Sequence, residues 1–107
     1  MTHKLWDTSA YKLLVSATCL VASQLSFATG MMTCDSGDQS TWKTKDELRT
    51  AVIEDGWEVR RIKVDGGCYE LYGKNADGKR VEAYFDPLTL EVLLVSQRGK
   101  ILFKKEP

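Results

Sequence analysis

Residues 68–86 read Cys68-Tyr69-Glu70-Leu71-Tyr72-Gly73-Lys74-Asn75-Ala76-Asp77-Gly78-Lys79-Arg80-Val81-Glu82-Ala83-Tyr84-Phe85-Asp86, and the turn at their centre decides the fold. Asn75-Ala76-Asp77-Gly78 fits a three-residue hairpin loop, a type I turn closed by Gly78 in the left-handed conformation. That loop pairs Asn75 with Lys79, and counting outward it pairs Gly73 with Val81, Leu71 with Ala83 and Tyr69 with Phe85. One face of the hairpin is then an apolar row. The other carries Glu70–Tyr84, Tyr72–Glu82 and Lys74–Arg80. A two-residue Asp77-Gly78 loop would slide the pairing by one residue and mix the two faces, so the three-residue loop is preferred.

The apolar row needs a cover, and the residues upstream supply one. Thr44 followed by Glu47 is a capping box, and Gly56 provides the stop. Between them Leu48, Ala51, Val52 and Asp55 share one helical face whose first three members are apolar, so this helix buries a single stripe against the sheet. Trp57 to Val64 reads as the first strand. Its alternation changes phase across Arg60-Arg61, which predicts a β-bulge. Downstream, Asp86-Pro87-Leu88-Thr89 is a turn, Leu90 to Val95 a fourth strand, and Ile101 to Phe103 a possible short terminal strand. The expected class is α+β, one amphipathic helix packed on an antiparallel sheet of about four strands.

The N-terminal part of the 107-residue chain reads differently. Residues 1–12 carry Lys4 and Lys12, residues 13–22 are mostly apolar, and Ser26-Phe27-Ala28 places small residues where a signal peptidase needs them. Residues 1–28 are therefore expected to be a cleavable signal peptide, 29–41 an extended lead-in, and 42–107 a single domain. The apolar run is too short for a membrane span, which needs about 20 residues, so no stable span is expected after cleavage. The whole chain has 15 basic and 15 acidic residues. Without residues 1–28 it keeps one more acidic than basic side chain, which offers no drive toward nucleic acid.

Cleavage also removes His3, the only histidine, and Cys19, one of three cysteines. The mature chain then lacks the commonest general base and zinc ligand, so histidine-based catalysis is excluded, and no cofactor or metal is expected. Cys34 and Cys68 are left as the only pair. In an oxidising compartment they most simply form a disulfide, worth roughly 3–4 kcal/mol in the chain-entropy model. A domain of about 80 residues needs such help. Redox or metal chemistry is the alternative for this pair, although it lacks a Cys-x-x-Cys arrangement.

The run of Trp42, Leu48, Gly56-Trp57-Glu58-Val59-Arg60-Arg61-Ile62, Gly67-Cys68-Tyr69-Glu70-Leu71, Asp77-Gly78-Lys79-Arg80-Val81-Glu82 and Asp86-Pro87 resembles the PepSY-like small exported bacterial domains over residues 42–95. The resemblance implies an αβββ-type unit related to propeptide domains of thermolysin-like metallopeptidases, with inhibition or folding assistance as the role, and it implies no catalytic residue. The family's turn usually reads Asp-Pro-x-Thr-Gly-Glu. This chain has Leu90 in place of that Gly, so a different turn shape is expected there.

Other constellations have plain readings. Asn75-Ala76-Asp77-Gly78 looks like a calcium-loop fragment, but Gly73 and Tyr84 stand where ligands would be needed. Glu70 and Glu82 are expected to pair with Lys74 and Arg80 on a solvated face instead of forming an acid–base site. Arg60, Arg61 and Lys63 read as a strand edge split over two faces, and Lys100, Lys104 and Lys105 as a solubilising tail. The candidate partner-binding face is the helix-free side with Glu70, Tyr72, Arg80, Glu82 and Tyr84, unless the lead-in carrying Cys34 lies across it. An exposed sheet edge is a second candidate.

The expected function is that of a non-enzymatic periplasmic or secreted module that binds a protein or peptide partner in the cell envelope and regulates it. Direct metallopeptidase inhibition and thiol–redox chemistry through Cys34 and Cys68 are the alternatives. The native mass of the exported protein tests the frame: residues 29–107, two hydrogens light, is the expected result, and a full-length or reduced chain would overturn it.

Overall fold

The computed structural model describes residues 30–107. The expected signal peptide, residues 1–28, lies outside the described residues. A strap of irregular chain leads through a single 3-10 turn, Gln39–Thr41, into helix α1 (Lys45–Glu54). Five strands follow: β1 (Glu58–Asp65), β2 (Cys68–Lys74), β3 (Arg80–Phe85), β4 (Val92–Gln97) and β5 (Lys100–Lys104). They form one antiparallel meander in the order β1-β2-β3-β4-β5, so β1 and β5 are its edges.

Helix α1 starts and stops for the reasons its sequence gives. The Glu47 amide donates to the Thr44 hydroxyl at 3.0 Å, and the Thr44 amide donates to the Glu47 carboxylate at 2.6 Å. Two orphan donors of the first turn are thereby satisfied. At the other end Gly56 takes a positive φ, and the Trp57 amide donates back to the Val52 carbonyl, which turns the chain straight into β1. Leu48 and Val52 are buried from the helix side. They pack with Ile62, Tyr69, Leu71, Val81, Ala83, Phe85 and Val95 from the facing side of the sheet. Trp42 closes one flank, its ring edge-on to Tyr69 at 5.5 Å, and Trp57 another, 6.0 Å from Phe85.

The central hairpin has the register the loop chemistry requires: Tyr69↔Phe85, Leu71↔Ala83 and Gly73↔Val81. The Asn75 amide donates to the Lys79 carbonyl, and that of Gly78 to the Asn75 carbonyl. The β-bulge expected at Arg60-Arg61 is present as a register shift between Val59 and Arg61. Gly73 lies opposite it because a side chain there would run into the Glu58 carbonyl.

The bounds of β1, β4 and β5 differ from the sequence reading. The first strand runs Glu58–Asp65 instead of starting at Trp57, whose backbone is spent on the helix stop. The fourth strand starts at Val92, not Leu90, because Leu90 belongs to the turn: its φ is 67° and its amide donates to the Asp86 carbonyl. Leu90 thus adopts a left-handed backbone of the kind that glycine takes at lower cost. The short terminal stretch is a full fifth strand. Lys100 and Lys104 belong to it and so are not part of a tail, and Lys105 is anchored through its amide to the Leu93 carbonyl and through Nζ to Glu91 at 2.7 Å.

The two faces of α1 should respond oppositely to truncation. Leu48 is fully buried and Ile53 is 52% exposed. Leu48→Ala is expected to lower unfolding free energy by about 3 kcal/mol in urea titrations, and Ile53→Ala by less than about 0.5 kcal/mol.

Candidate functional site

Glu70, Tyr72, Arg80, Glu82 and Tyr84 all lie on the sheet face opposite the helix, brought together by the pairs Glu70↔Tyr84, Tyr72↔Glu82 and Lys74↔Arg80. That face is not the uniformly solvated surface expected. One half is roofed by residues 30–34 of the strap, and the other half is open.

The roofed half is built around the Cys34–Cys68 disulfide. Cys68, Tyr84 and Leu94 are buried together, with Met31, Met32 and Cys34 packed over them. Polar ties fix the strap along its length. The Gly30 amide donates to Asp65 Oδ2 at 2.9 Å, the Met31 amide reaches the Tyr84 hydroxyl at 3.4 Å, and the Cys34 amide donates to the Gly66 carbonyl at 2.8 Å. The Tyr84 hydroxyl in turn donates to Asp65 Oδ2 at 3.1 Å. The strap runs so close to the β1–β2 turn that a Cβ on Gly66 would lie 2.6 Å from the Met32 carbonyl oxygen, and one on Gly67 would strike that of Cys34. Both glycines also have positive φ, so these positions admit glycine on two grounds.

Two expectations are corrected here. Glu70 and Tyr84 are fully buried, not exposed on a partner-binding face. Nor does Glu70 pair with Lys74, which lies four residues along the same strand and out of reach. The cation near it is Lys63, its direct cross-strand neighbour, with Nζ 3.7 Å from Oε1. Neither carboxylate oxygen of Glu70 has a hydrogen bond among the described residues. Arg80 and Glu82 form no ion pair there either.

On the open half the bulge changes the fate of the basic cluster. Alternation alone would split Arg60 from Arg61 and Lys63. With two residues opposing one, Arg61 stands opposite Tyr72 and Lys63 opposite Glu70, while Arg60 lines a cavity with Tyr72. The Arg61 guanidinium and the Lys63 ammonium each lie 5.7 Å from the Tyr72 ring centre, within cation–π range. The cavity holds about 470 Å³ and is walled by Arg60, Tyr72, Arg80, Glu82, Gln97 and Arg98.

Burial sets the electrostatics of this face. It pushes Tyr72 up to about 12, aided by the carboxylates of Glu70 and Glu82 and opposed by Arg61. Tyr84 is raised further, by burial above all, with the Met31 amide opposing. The Glu82 carboxyl is also held above its ordinary value, first by burial and then by the charge of Glu70.

The edges are unlike each other. β1 presents charged residues, whereas β5 exposes Ile101, Leu102 and Phe103 between Lys100 and Lys104. The sequence reading expects a short strand over residues 101–103 and an exposed sheet edge as a candidate, but does not single out this strand as that edge. It passes over Gln97 and Arg98, which reach the cavity only because the β4–β5 turn returns beside β3. Among the described residues no cluster of three metal-ligating side chains occurs, and no helix is long and apolar enough to cross a membrane.

A comparison with protein families finds a match to PepSY_2, described as the peptidase propeptide and YPEB domain, over residues 12–95. It covers most of the chain and reaches further toward the N-terminus than the motifs over 42–95. No curated protein and no solved structure matches the chain.

The strap can be tested through the tyrosines. The fold holds the phenol protons of Tyr72 and Tyr84 more tightly than the unfolded chain does, so the stability they contribute is complete below pH 10 and is lost as pH rises through about 12 for Tyr72 and later still for Tyr84. Ultraviolet titration should show late ionisation of both in the oxidised protein. In Cys34→Ala/Cys68→Ala the ionisation of Tyr84 should move back toward 10, and an unchanged curve would mean that the strap stays seated without the disulfide.

Proposed function

The chain belongs to the peptidase propeptide and YPEB domain family, and on that premise we propose that it is an exported, non-catalytic regulatory module that captures an extended segment of a protein partner at β5. Export is supported by the disulfide, a bond that persists in oxidising compartments, and by the leader-like residues 1–28. The cell envelope or its exterior is therefore the proposed location. Thiol–redox chemistry is the weaker reading, because Cys68 is fully buried and packed against Tyr84 and Leu94.

The observation that carries the proposal is the outer edge strand itself. Ile101, Leu102 and Phe103 are 48%, 37% and 45% exposed on a strand paired on one side only among the described residues. An unpaired edge offers main-chain donors and acceptors, and exposed apolar side chains add area, which together make a template for strand addition. A second copy of the chain fits this edge poorly. Antiparallel self-pairing centred on Leu102 would place Lys100 against Lys104 twice, and like charges directly opposite are destabilising. A partner strand with apolar residues flanked by Asp or Glu satisfies both features.

The family supports one specific partner class, an exported metallopeptidase, with the domain acting on it as a propeptide-like inhibitor. A purified thermolysin-like peptidase assayed with excess folded protein should be slowed, and Leu102→Pro, at the β5 residue that has no partner on β4 and in the middle of the exposed edge, should abolish the effect while far-ultraviolet dichroism stays native. Equal inhibition by Leu102→Pro would exclude the β5 edge. Absence of inhibition by either protein would remove the peptidase as target.

A further inference from the structure

The geometry points to the open cavity at Arg60, Arg80 and Arg98 as a binding site for the carboxylates of an acidic polypeptide segment. This goes beyond strand capture at β5 and stands on different residues.

Three guanidinium groups reach one cavity from three separate places: the β1 bulge, the first residue of β3 and the β4–β5 turn. Glu82 is the single carboxylate on its wall. None of the three arginines is ion-paired among the described residues. Arg61 and Lys63, on Tyr72, add further positive charge beside it, against the buried Glu70. Cations gathered around a concavity repel one another and raise the local concentration of anions.

The backbone accommodates this gathering at two irregular points. Arg60 is the extra residue of the bulge. Arg98 has φ 51°, a left-handed conformation that Gly or Asn adopts at lower cost. The two-residue turn between the paired Gln97 and Lys100 requires this conformation at Arg98 and Gly99, and it brings the Arg98 side chain to the cavity.

The chemistry of the walls selects the ligand. Guanidinium forks bind carboxylates through paired hydrogen bonds, and the Gln97 side chain on the same wall can add an amide donor. At about 470 Å³ the cavity suits side chains of a bound segment better than a bare ion, within the usual range for ligand sites. None of the large exposed apolar residues lines it, so it lacks the apolar contacts that a lipid surface would use.

Tetraglutamate added to the folded, oxidised protein tests the assignment, with arginine side-chain N–H signals followed by NMR. Saturable shifts at Arg60, Arg80 and Arg98, weakened by salt and absent with tetraglutamine, are expected. The variant Arg80→Gln/Arg98→Asn, whose substitutions are exposed and tolerate their backbones, should bind roughly tenfold or more weakly with native amide spectra. Four results would overturn the site: no saturation at roughly millimolar peptide, undiminished binding by the variant, tighter binding of inorganic phosphate, or preference for phosphatidylglycerol vesicles. Leu102→Pro should leave tetraglutamate binding intact, so failure here and failure at β5 are separable.

Discussion

One helix can cover only one side of a sheet, and this constraint organises the molecule. Leu48 and Val52 close the side that carries Leu71, Ala83 and Phe85. The other side carries Tyr84 and Leu94, too apolar to leave wet, and no second helix is among the described residues to shield them. The strap does that work over half the face. Its hold depends on the crosslink to Cys68, since a few residues of irregular chain bury too little surface to offset the entropy of their own ordering. The glycines at 66 and 67 follow from the same requirement, because the strap must pass within backbone contact of that turn.

This division explains what the sequence could and could not reveal. Turn chemistry at Asn75–Gly78 and strict alternation fixed the central register, and the capping box fixed the helix, because those signals are local. The disulfide was legible by elimination among three cysteines. The fate of Glu70 and Tyr84 was not, since alternation assigns a residue to a face without saying what lies over that face. The strap was the missing information, and it comes from a segment with no periodicity of its own. The basic cluster lies on a solvated strand edge as its sequence implies, but alternation separates Arg60 from Arg61 and Lys63, whereas the bulge lets Arg60 line the cavity beside Tyr72. Arg98 joins that cavity only through the meander, which no local pattern encodes.

The candidate surfaces now occupy different parts of one sheet. The roofed half supports the fold. The open half is polar and concave, while the β5 edge is apolar with lysines at its ends. A regulatory module needs no reacting group, only surfaces that discriminate between partners.

Leu90 carries a consequence of another kind. Its left-handed backbone costs about 1–2 kcal/mol relative to glycine, while its side chain rests partly buried against the main core and recovers a comparable amount by shielding apolar surface. Two opposing contributions of similar size make the position nearly neutral to exchange between leucine and glycine. Stability therefore places little constraint on which of the two residues stands there, and its identity says little about what the domain binds.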